Sequence, residues 1–524
     1  MCGIAGFLTA QPADPDLLAR MCEVIGHRGP DDDGFLVEGG LGLGMRRLAI
    51  IDLDSGRQPI WNEDETIAVV FNGEIYNHRQ LRAELEAAGH RFRTRTDTEC
   101  LVHLYESEGV SFVRRLRGMF AIALWDRPRG RLVLARDRVG KKPLVYRVDE
   151  RGIWFASELK SLLQDPAVQR TVDRVALHHY LTYQYVPAPW TIFDGIRKLP
   201  PATTLVYESG KVTLDRYWRL SYEPKWNGDE RTALEELHEL LVDSTRVRLM
   251  SDRPLGAFLS GGLDSSLVVA AMSDIATGPV KTFSIGFDER QFDERAYARL
   301  VAERFGTEHH ELVVSPRAAE ILPELVWHYD EPYADSSAVP SFYLARMTRE
   351  QVVVALNGDG GDESFGGYAR YAAALQARRF GLSSAPTRRA AAWLHRRLPD
   401  GERGTLYGKA KRFAGVLAKE DARRYASLIS YFDTEEKCRL YTPAMRAAVE
   451  AVDSYELIDR SLDEPDACNF ADRLLRLDVE TYLPGDLLVK MDIATMASSL
   501  EARSPFLDHH LMEFAASLPS AWKI

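Results

Sequence analysis

Pro254-Leu255-Gly256-Ala257-Phe258-Leu259 runs straight into Ser260-Gly261-Gly262-Leu263-Asp264-Ser265-Ser266 and then into the apolar stretch Leu267 to Met272. An apolar run, a loop of small residues and a helical pattern, in that order, predict a buried strand, a tight turn and a helix. The loop suits an anion. Small residues let backbone N–H groups wrap phosphate oxygens, and the helix N-terminus adds partial positive charge. Ser265 or Ser266 could cap that helix. The Gly-Lys-Ser/Thr ending of the Walker loop is absent. Taken alone, the stretch also fits an ordinary strand–helix connection.

Outward from this stretch the pattern recurs. Lys281 to Phe287 and Val352 to Leu356 are strand-like and separated by helical sequence, which reads as an α/β parallel sheet. The second run ends on Asn357-Gly358-Asp359-Gly360-Gly361-Asp362-Glu363. Glycines and carboxylates directly after an apolar strand are costly without a ligand. Two such loops at the carboxyl ends of neighbouring parallel strands are where a sheet of this kind holds a nucleotide and a metal. Tyr371 to Glu456 is rich in Ala, Arg and Leu and predicts helix. Its doublets Arg378-Arg379, Arg388-Arg389 and Arg396-Arg397 read as solvated helix faces.

Upstream, Thr232 to Met250 predicts a helix, and the polar stretch Glu223 to Asp229 is the best boundary. Val186-Pro187-Ala188-Pro189 and Leu199-Pro200-Pro201 read as a connector, followed by a β-like tail from Thr203 to Trp218. Before that the chain is strand-rich. Gly3 to Leu8, Leu43 to Ile51, Ile67 to Phe71, Phe120 to Trp125 and Leu132 to Leu134 predict strands. Arg79 to Ala88 and Glu99 to Glu108 predict helices covering them.

The bulk numbers fit a soluble enzyme. A chain of 524 residues implies two or three domains. With 45% hydrophobic and 27% charged residues and a net charge of −11, a nucleic-acid surface is not its main business. The five cysteines are Cys2, Cys22, Cys100, Cys438 and Cys468. Their odd number and wide spacing argue against a disulfide framework or a structural zinc site. No apolar stretch spans a membrane and no signal peptide is readable, so a cytoplasmic location is expected.

Cys2 carries the second chemical signal. Removal of Met1 would leave its thiol beside a free α-amine, a base with a pKa near about 8 held in reach by covalent geometry. A small buried hydrophobe at a strand start is the alternative. Asn72-Gly73 is either a plain hairpin turn or a donor pair, side-chain amide plus backbone N–H, for a developing oxyanion.

These residues lie in a set of tracts: the Cys2-Gly3-Ile4 start, His27-Arg28-Gly29-Pro30-Asp31, Arg47-Leu48, Asn72-Gly73-Glu74-Ile75-Tyr76-Asn77 and Asp97 within Thr96 to Glu99. The set resembles the class II glutamine amidotransferase domain, an N-terminal-nucleophile hydrolase. The resemblance implies a four-layer α-β-β-α sandwich over residues 2–218, with the nucleophile at Cys2 and the oxyanion hole at Asn72 and Gly73. It places glutamine against Arg47, Leu48, Ala49, Ile50 and Ile51. Arg47 grips the α-carboxylate, and Asp97 with Glu74 grips the α-amine.

The Ser260 loop resembles the pyrophosphate loop of the ATP pyrophosphatase fold. With Asp330-Glu331-Pro332 and Glu501-Ala502-Arg503-Ser504-Pro505-Phe506-Leu507-Asp508, the whole chain resembles the glutamine-hydrolysing asparagine synthetases. This implies a parallel-sheet α/β domain with a helical extension over residues 230–524. ATP would contact Phe258, Leu259, Ser260, Gly261, Gly262, Asp264, Ser265, Ile285, Asn357 and Gly358. Asp264 and Asp362 would hold Mg²⁺, and Asp359 would act on the acceptor. Glutamine, aspartate and ATP are the implied partners, and a homodimer is an expectation. Asn357 and Asp359 stand where well-known members carry Ser and Glu. That leaves another carboxylate acceptor, or a regulatory homologue without synthesis, as alternative readings. Family members continue past Ile524 with a lysine-bearing helix. The expectation is therefore a truncated synthetase that keeps glutamine hydrolysis, with Lys490 as the candidate substitute cation.

Overall fold

Along the strand β1 (Gly3–Thr9), successive side chains enter different layers, which reveals the architecture of the first half. Ile4 joins a core shared with Ala68, Val70 and Ala121, whereas Ala5 and Phe7 pack on Leu18, Met21 and Cys22 of the helix Pro15–Glu23. Side chains on a strand alternate faces, so β1 is covered by another sheet on one side and by helix on the other.

The computed structural model describes residues 2–287, 293–314, 318–379, 384–399, 406–463, 467 and 469–524; Met1 and Cys468 lie outside them. After β1 come β2 (Asp32–Glu38), β3 (Leu41–Arg47), β4 (Ile60–Trp61), β5 (Ile67–Ile75), β6 (Gly118–Asp126) and β7 (Arg131–Arg136). They are followed by β8 (Val145–Asp149), β9 (Gly152–Ala156), β10 (Ile196–Lys198), β11 (Thr203–Glu208) and β12 (Lys211–Arg216). Two 6-stranded sheets result, in the orders β10-β8-β9-β1-β3-β2 and β12-β11-β7-β6-β5-β4, with antiparallel neighbours. Val69 and Phe71 on β5 face Leu81, Leu101 and Leu104 of the helices His78–Ala87 and Glu99–Glu108. The layers are therefore helix, sheet, sheet, helix.

The second half is built on parallel strands β13 (Leu255–Phe258), β14 (Lys281–Phe287), β15 (Glu308–Val314), β16 (Val354–Leu356) and β17 (Glu501–Arg503). Their order is β15-β14-β13-β16-β17, all neighbours parallel. β13 and β16 are adjacent, so the Ser260 and Asn357 loops leave the same edge side by side. A helical region that includes Ala369–Arg379, Asp421–Ile429 and Phe470–Glu480 packs around Tyr371, Tyr425 and Leu474. No described helix is long and apolar enough to cross a membrane.

Several boundaries differ from the sequence reading. The strand read over Leu43 to Ile51 ends at Arg47, because the Arg47 guanidinium turns back to donate to the carbonyls of Ile51, Asp52 and Leu53. The helix read from Leu267 begins at Leu263, and its cap is Gly262 rather than a serine. The Ser265 and Ser266 hydroxyls lie in the first turn and donate back to the Gly262 carbonyl at 3.2 and 2.7 Å. The helix read from Thr232 starts at Glu230, where Asp229 accepts from the Thr232 N–H at 2.9 Å.

The two halves share a core in which Leu48, Ile50, Tyr76 and Met119 pack with Leu241, Leu259, Val268 and Phe506. Buried ions cross the same joint. Arg28 donates to Glu158 at 2.8 Å and to Asp492 at 2.7 Å, and Lys142 reaches Asp492 at 3.1 Å. Burial opposes the Asp492 charge, but Arg28 and Lys142 outweigh it and hold the carboxyl below its ordinary range. Burial pushes Lys142 down to about 8 despite the neighbouring Asp492 charge. Asp330 and Glu331, read as part of a family motif, serve this joint: they accept from the backbone N–H groups of Lys160 and Ile192 at 2.9 and 3.0 Å.

Candidate active site

Cys2 is buried just ahead of β1, and its backbone nitrogen donates to Asn72 Oδ1 at 3.0 Å. That bond fixes the orientation of the Asn72 amide. It leaves Asn72 Nδ2 as a buried donor with no hydrogen-bond partner among the described residues. A buried, unused donor beside a thiol is what an oxyanion hole needs before its anion forms. Burial pushes the Cys2 thiol above its ordinary pKa, so it needs a base at hand to ionise.

The cleft around the thiol is lined by Arg47, Leu48, Ile50, Ile51, Gly73, Glu74, Asp97 and Glu501, among others. Of the sequence-predicted residues, Ala49 is turned away. Its N–H donates to Asp31 at 2.9 Å and its carbonyl accepts from Arg253 at 3.2 Å, so it anchors the loop. Glu74 Oε2 accepts from Arg503 at 2.9 Å, while Glu74 Oε1 is buried and unpaired among the described residues. Burial, with the nearby Asp97 charge, pushes the Glu74 carboxyl well above the carboxylate range. Asp97 accepts from the Ile75 N–H at 2.8 Å and is also raised by burial. Buried carboxylates raised in this way favour a cation brought into the cleft.

The second site is a cavity of about 820 Å³ over the carboxyl ends of β13 and β16. Phe258, Leu259, Ser260, Gly262, Asp264, Ser265, Ile285, Asn357, Gly358, Asp359 and Asp362 all line it. Gly261 does not. It turns the loop at φ +81, with a would-be Cβ 2.5 Å from the Ala298 nitrogen. The two loops touch at Gly361, where a Cβ would meet Asp264 Oδ2 at 2.3 Å. Asp264 is pushed up to about 6 by burial and by the charges of Asp362 and Asp359. Burial raises Asp362 as well. Neither has an ion-pair partner among the described residues. A hard divalent cation fits this donor set, since it takes carboxylate and phosphate oxygens together. Lys490 also lines the cavity but is held by Asp335 and Ser337 at 2.9 and 2.8 Å.

Sequence reasoning gave no individual role to the residues that join the sites. On β17, Glu501 lines the Cys2 cleft and accepts from Arg503 Nε at 2.6 Å. The next residue, Ser504, donates to Asn357 Oδ1 at 2.5 Å. Asn357 Nδ2 in turn donates to Asp359 at 2.8 Å, and Lys141 reaches Ser504 at 3.0 Å and Asp359 at 3.6 Å. A strand of three residues thus touches both sites.

Comparison with known proteins gives matches along the chain. A family model described as a glutamine amidotransferase domain matches residues 1–218, and one described as asparagine synthase matches residues 236–524. Among similar curated proteins is "Asparagine synthetase [glutamine-hydrolyzing] 1" of Bacillus subtilis (strain 168), 35% identical over 536 residues, covering 100% of this chain and 82% of that protein. A putative asparagine synthetase of Mycobacterium tuberculosis (strain ATCC 25618 / H37Rv) is 36% identical over 550 residues, covering 100% and 83%. "Amidase chyE" of Penicillium rubens is 29% identical over 583 residues, covering 100% and 83%.

Proposed function

The chain belongs to the asparagine synthase family, and from that premise we propose that it is an ATP-dependent carbon–nitrogen ligase, a glutamine-hydrolysing asparagine synthetase. A glutaminase unit, residues 2–218, supplies ammonia to a synthetase unit, residues 230–524. The observation that carries this reading is β17, which connects the Cys2 cleft to the nucleotide cavity through Glu501, Arg503 and Ser504.

In the first unit the Cys2 thiolate attacks the side-chain amide of glutamine. Once Met1 is removed, the nitrogen now bonded to Asn72 is the α-amine that takes the thiol proton. Asn72 Nδ2 and the Gly73 N–H receive the oxyanion; ammonia leaves, and water releases glutamate from the thioester. Arg47 holds the α-carboxylate. The glutamine ammonium sits against Glu74 and Asp97, supplying the cation those carboxylates lack. The cleft leaves about 30 Å³ beside the thiol, room for a water.

In the second unit the Ser260 loop cradles the ATP phosphates and Phe258, Leu259 and Ile285 take the base. Asp264 and Asp362 hold Mg²⁺, which when bound neutralises charge on the phosphates. Aspartate attacks the α-phosphate and pyrophosphate leaves. Asp359, fixed by Asn357 and Lys141, positions the acceptor. Ammonia crosses the joint around Ser504 and converts the β-aspartyl adenylate to asparagine and AMP. The reaction is cytoplasmic, and the enzyme works as a homodimer.

The test is glutamine carrying ¹⁵N in its side-chain amide, with ATP, Mg²⁺, aspartate and excess unlabelled ammonium. Label in asparagine, matched by pyrophosphate and undiluted by the ammonium, is expected. Pyrophosphate that forms with another acid but never with aspartate would replace the acceptor. Label diluted by the added ammonium would remove the internal transfer.

A further inference from the structure

Away from both sites, four side chains converge under the outer helices of the first half. Glu63 lies in the turn between β4 and β5, His90 follows the helix His78–Ala87, and His103 and Glu106 sit on the helix Glu99–Glu108. His103 and Glu106 are three residues apart, so they share a helix face. One ligand atom from each of the four lies within 4.8 Å of the others. Glu63 faces both imidazoles, with Oε1 3.2 Å from His90 Nδ1 and Oε2 3.2 Å from His103 Nδ1. Glu106 Oε2 is 3.7 Å from His90 Nδ1.

His103 makes this more than a surface network. Its ring is fully buried, yet neither nitrogen makes a hydrogen bond with a described residue. A buried imidazole whose nitrogens face carboxylates at 3.2 and 3.7 Å without an aligned hydrogen bond is costly, and native structures rarely leave one so. The far nitrogens are also furnished as those of bound imidazoles usually are. His90 Nε2 lies 2.9 Å from Ser107 Oγ, and His103 Nε2 lies 3.7 Å from Glu99 Oε1.

We propose that Glu63, His90, His103 and Glu106 form a site for a divalent transition metal, with two imidazoles and two carboxylates suited to Zn²⁺. Zinc bonds of about 2.0–2.2 Å put tetrahedral ligands roughly 3.3–3.6 Å apart; three contacts here are 3.2, 3.2 and 3.7 Å, and the four ligand atoms all fall within 4.8 Å. The thiolate zinc site that the cysteine spacing excluded is a different chemistry. The metal acts as a clip. It joins the β4–β5 turn, the start, near His90, of the strap (residues 88–98) that links the two helices, and the helix Glu99–Glu108 that follows the strap. Glu99 already binds the strap by accepting from the N–H groups of Arg93 and Thr94 at 2.7 Å each. Asp97, which lines the Cys2 cleft, lies near the end of that strap.

The full-length protein, stripped with a chelator, is titrated with Zn²⁺ alone by calorimetry and with Co²⁺ by visible absorption. One equivalent of Zn²⁺, a rise in Tm and the Co²⁺ bands of a four-coordinate site are expected. His90→Gln and Glu106→Gln alter partly exposed side chains at 14% and 39% exposure, so both variants keep the fold. Each should weaken binding by at least about tenfold, and Ser107→Ala by about tenfold. Failure of the native protein to bind either metal at micromolar concentration overturns the proposal. So does one-equivalent binding unchanged in both ligand variants, which places the metal elsewhere, such as at Asp264 and Asp362.

Discussion

Around Cys2 the buried carboxylates are partly answered by the chain itself. Arg503 pairs with Glu74 and Glu501, and the Ile75 N–H serves Asp97. In the nucleotide cavity Asp264 and Asp362 share one wall without an ion-pair partner among the described residues, and Asp264 is pushed up to about 6. On the proposed reading, glutamine's ammonium completes one site and a divalent cation the other. The glutaminase half is therefore largely preorganised by protein groups. The synthetase half is completed by what binds to it. Variants that separate these two conditions break or sharpen the contrast.

The largest effect is expected at Cys2. Cys2→Ala should lower glutamine hydrolysis by at least about 10⁴-fold, as removal of a covalent nucleophile does. Pyrophosphate release driven by added ammonium should survive, because the thiol serves only the first half-reaction. Glutamate production at the native rate in the alanine variant would falsify the nucleophile assignment.

Arg503 tests the joint. Arg503→Ala removes the guanidinium paired with the buried Glu74 and Glu501, a loss of about 3–5 kcal/mol in unfolding free energy. Both half-reactions should fall together, since the strand carrying Arg503 also positions Ser504 and Asn357. Arg503→Lys keeps the charge and loses the fork geometry, so it should recover part of the stability. Denaturant titration of the two variants decides this; a loss below about 1 kcal/mol in the alanine variant would leave the joint without its proposed role.

The contrast also explains what was legible in the sequence. Gly3 to Leu8 and Lys281 to Phe287 are apolar runs whose burial is local information, and both are strands. The Ser260 loop showed its chemistry through small residues in fixed order. β17 stayed hidden because Glu501-Ala502-Arg503, quoted only as part of a family motif, has no apolar run to mark a buried strand. Its burial is possible only because Glu74, 427 positions upstream of Glu501, supplies half of the ion network. The strand Glu308–Val314, opening Glu-His-His-Glu, was missed for a similar reason. Pairing with β14 rather than composition makes it a strand. Asp330 and Glu331, read only as part of a family motif, hold the joint between the halves. Long-range partners of charged residues are what one sequence cannot display.

Smaller in effect is the separation of the two activities within the cavity. Asp264→Asn or Asp362→Asn should lower aspartate-dependent ATP–pyrophosphate exchange by about a hundredfold or more, the usual cost of removing an aimed charge near transferring phosphate. Glutamine hydrolysis should stay within about twofold, because Asp264 and Asp362 line the second cavity and not the Cys2 cleft. Exchange left intact in both variants would move the metal elsewhere; a matching loss of glutaminase would mean that the halves are not energetically separate.

The smallest effect concerns stability and pH. The Asp264 carboxyl is raised to about 6 by burial and by the charges of Asp362 and Asp359, against an ordinary value of 3.8. Between these two values the folded chain holds a proton that the unfolded chain has released. The stabilising contribution of Asp264 is therefore present below about pH 4 and lost as pH rises through about 6. At pH 7.5, without metal, the charged carboxylate works against the fold. Asp264→Asn should then be more stable than the native chain. The gain is roughly 1 kcal/mol once solvent screening of this partly exposed group is allowed for. The gain should shrink as pH falls toward 5. It should reverse when Mg²⁺ is added, because only the native chain binds the ion fully and draws stability from it. Urea midpoints for both proteins at pH 5 and 7.5, each with and without Mg²⁺, give the answer. A native chain that is the more stable at pH 7.5 without metal would show that Asp264 is already compensated by the chain, and the contrast between the two sites would fall with it.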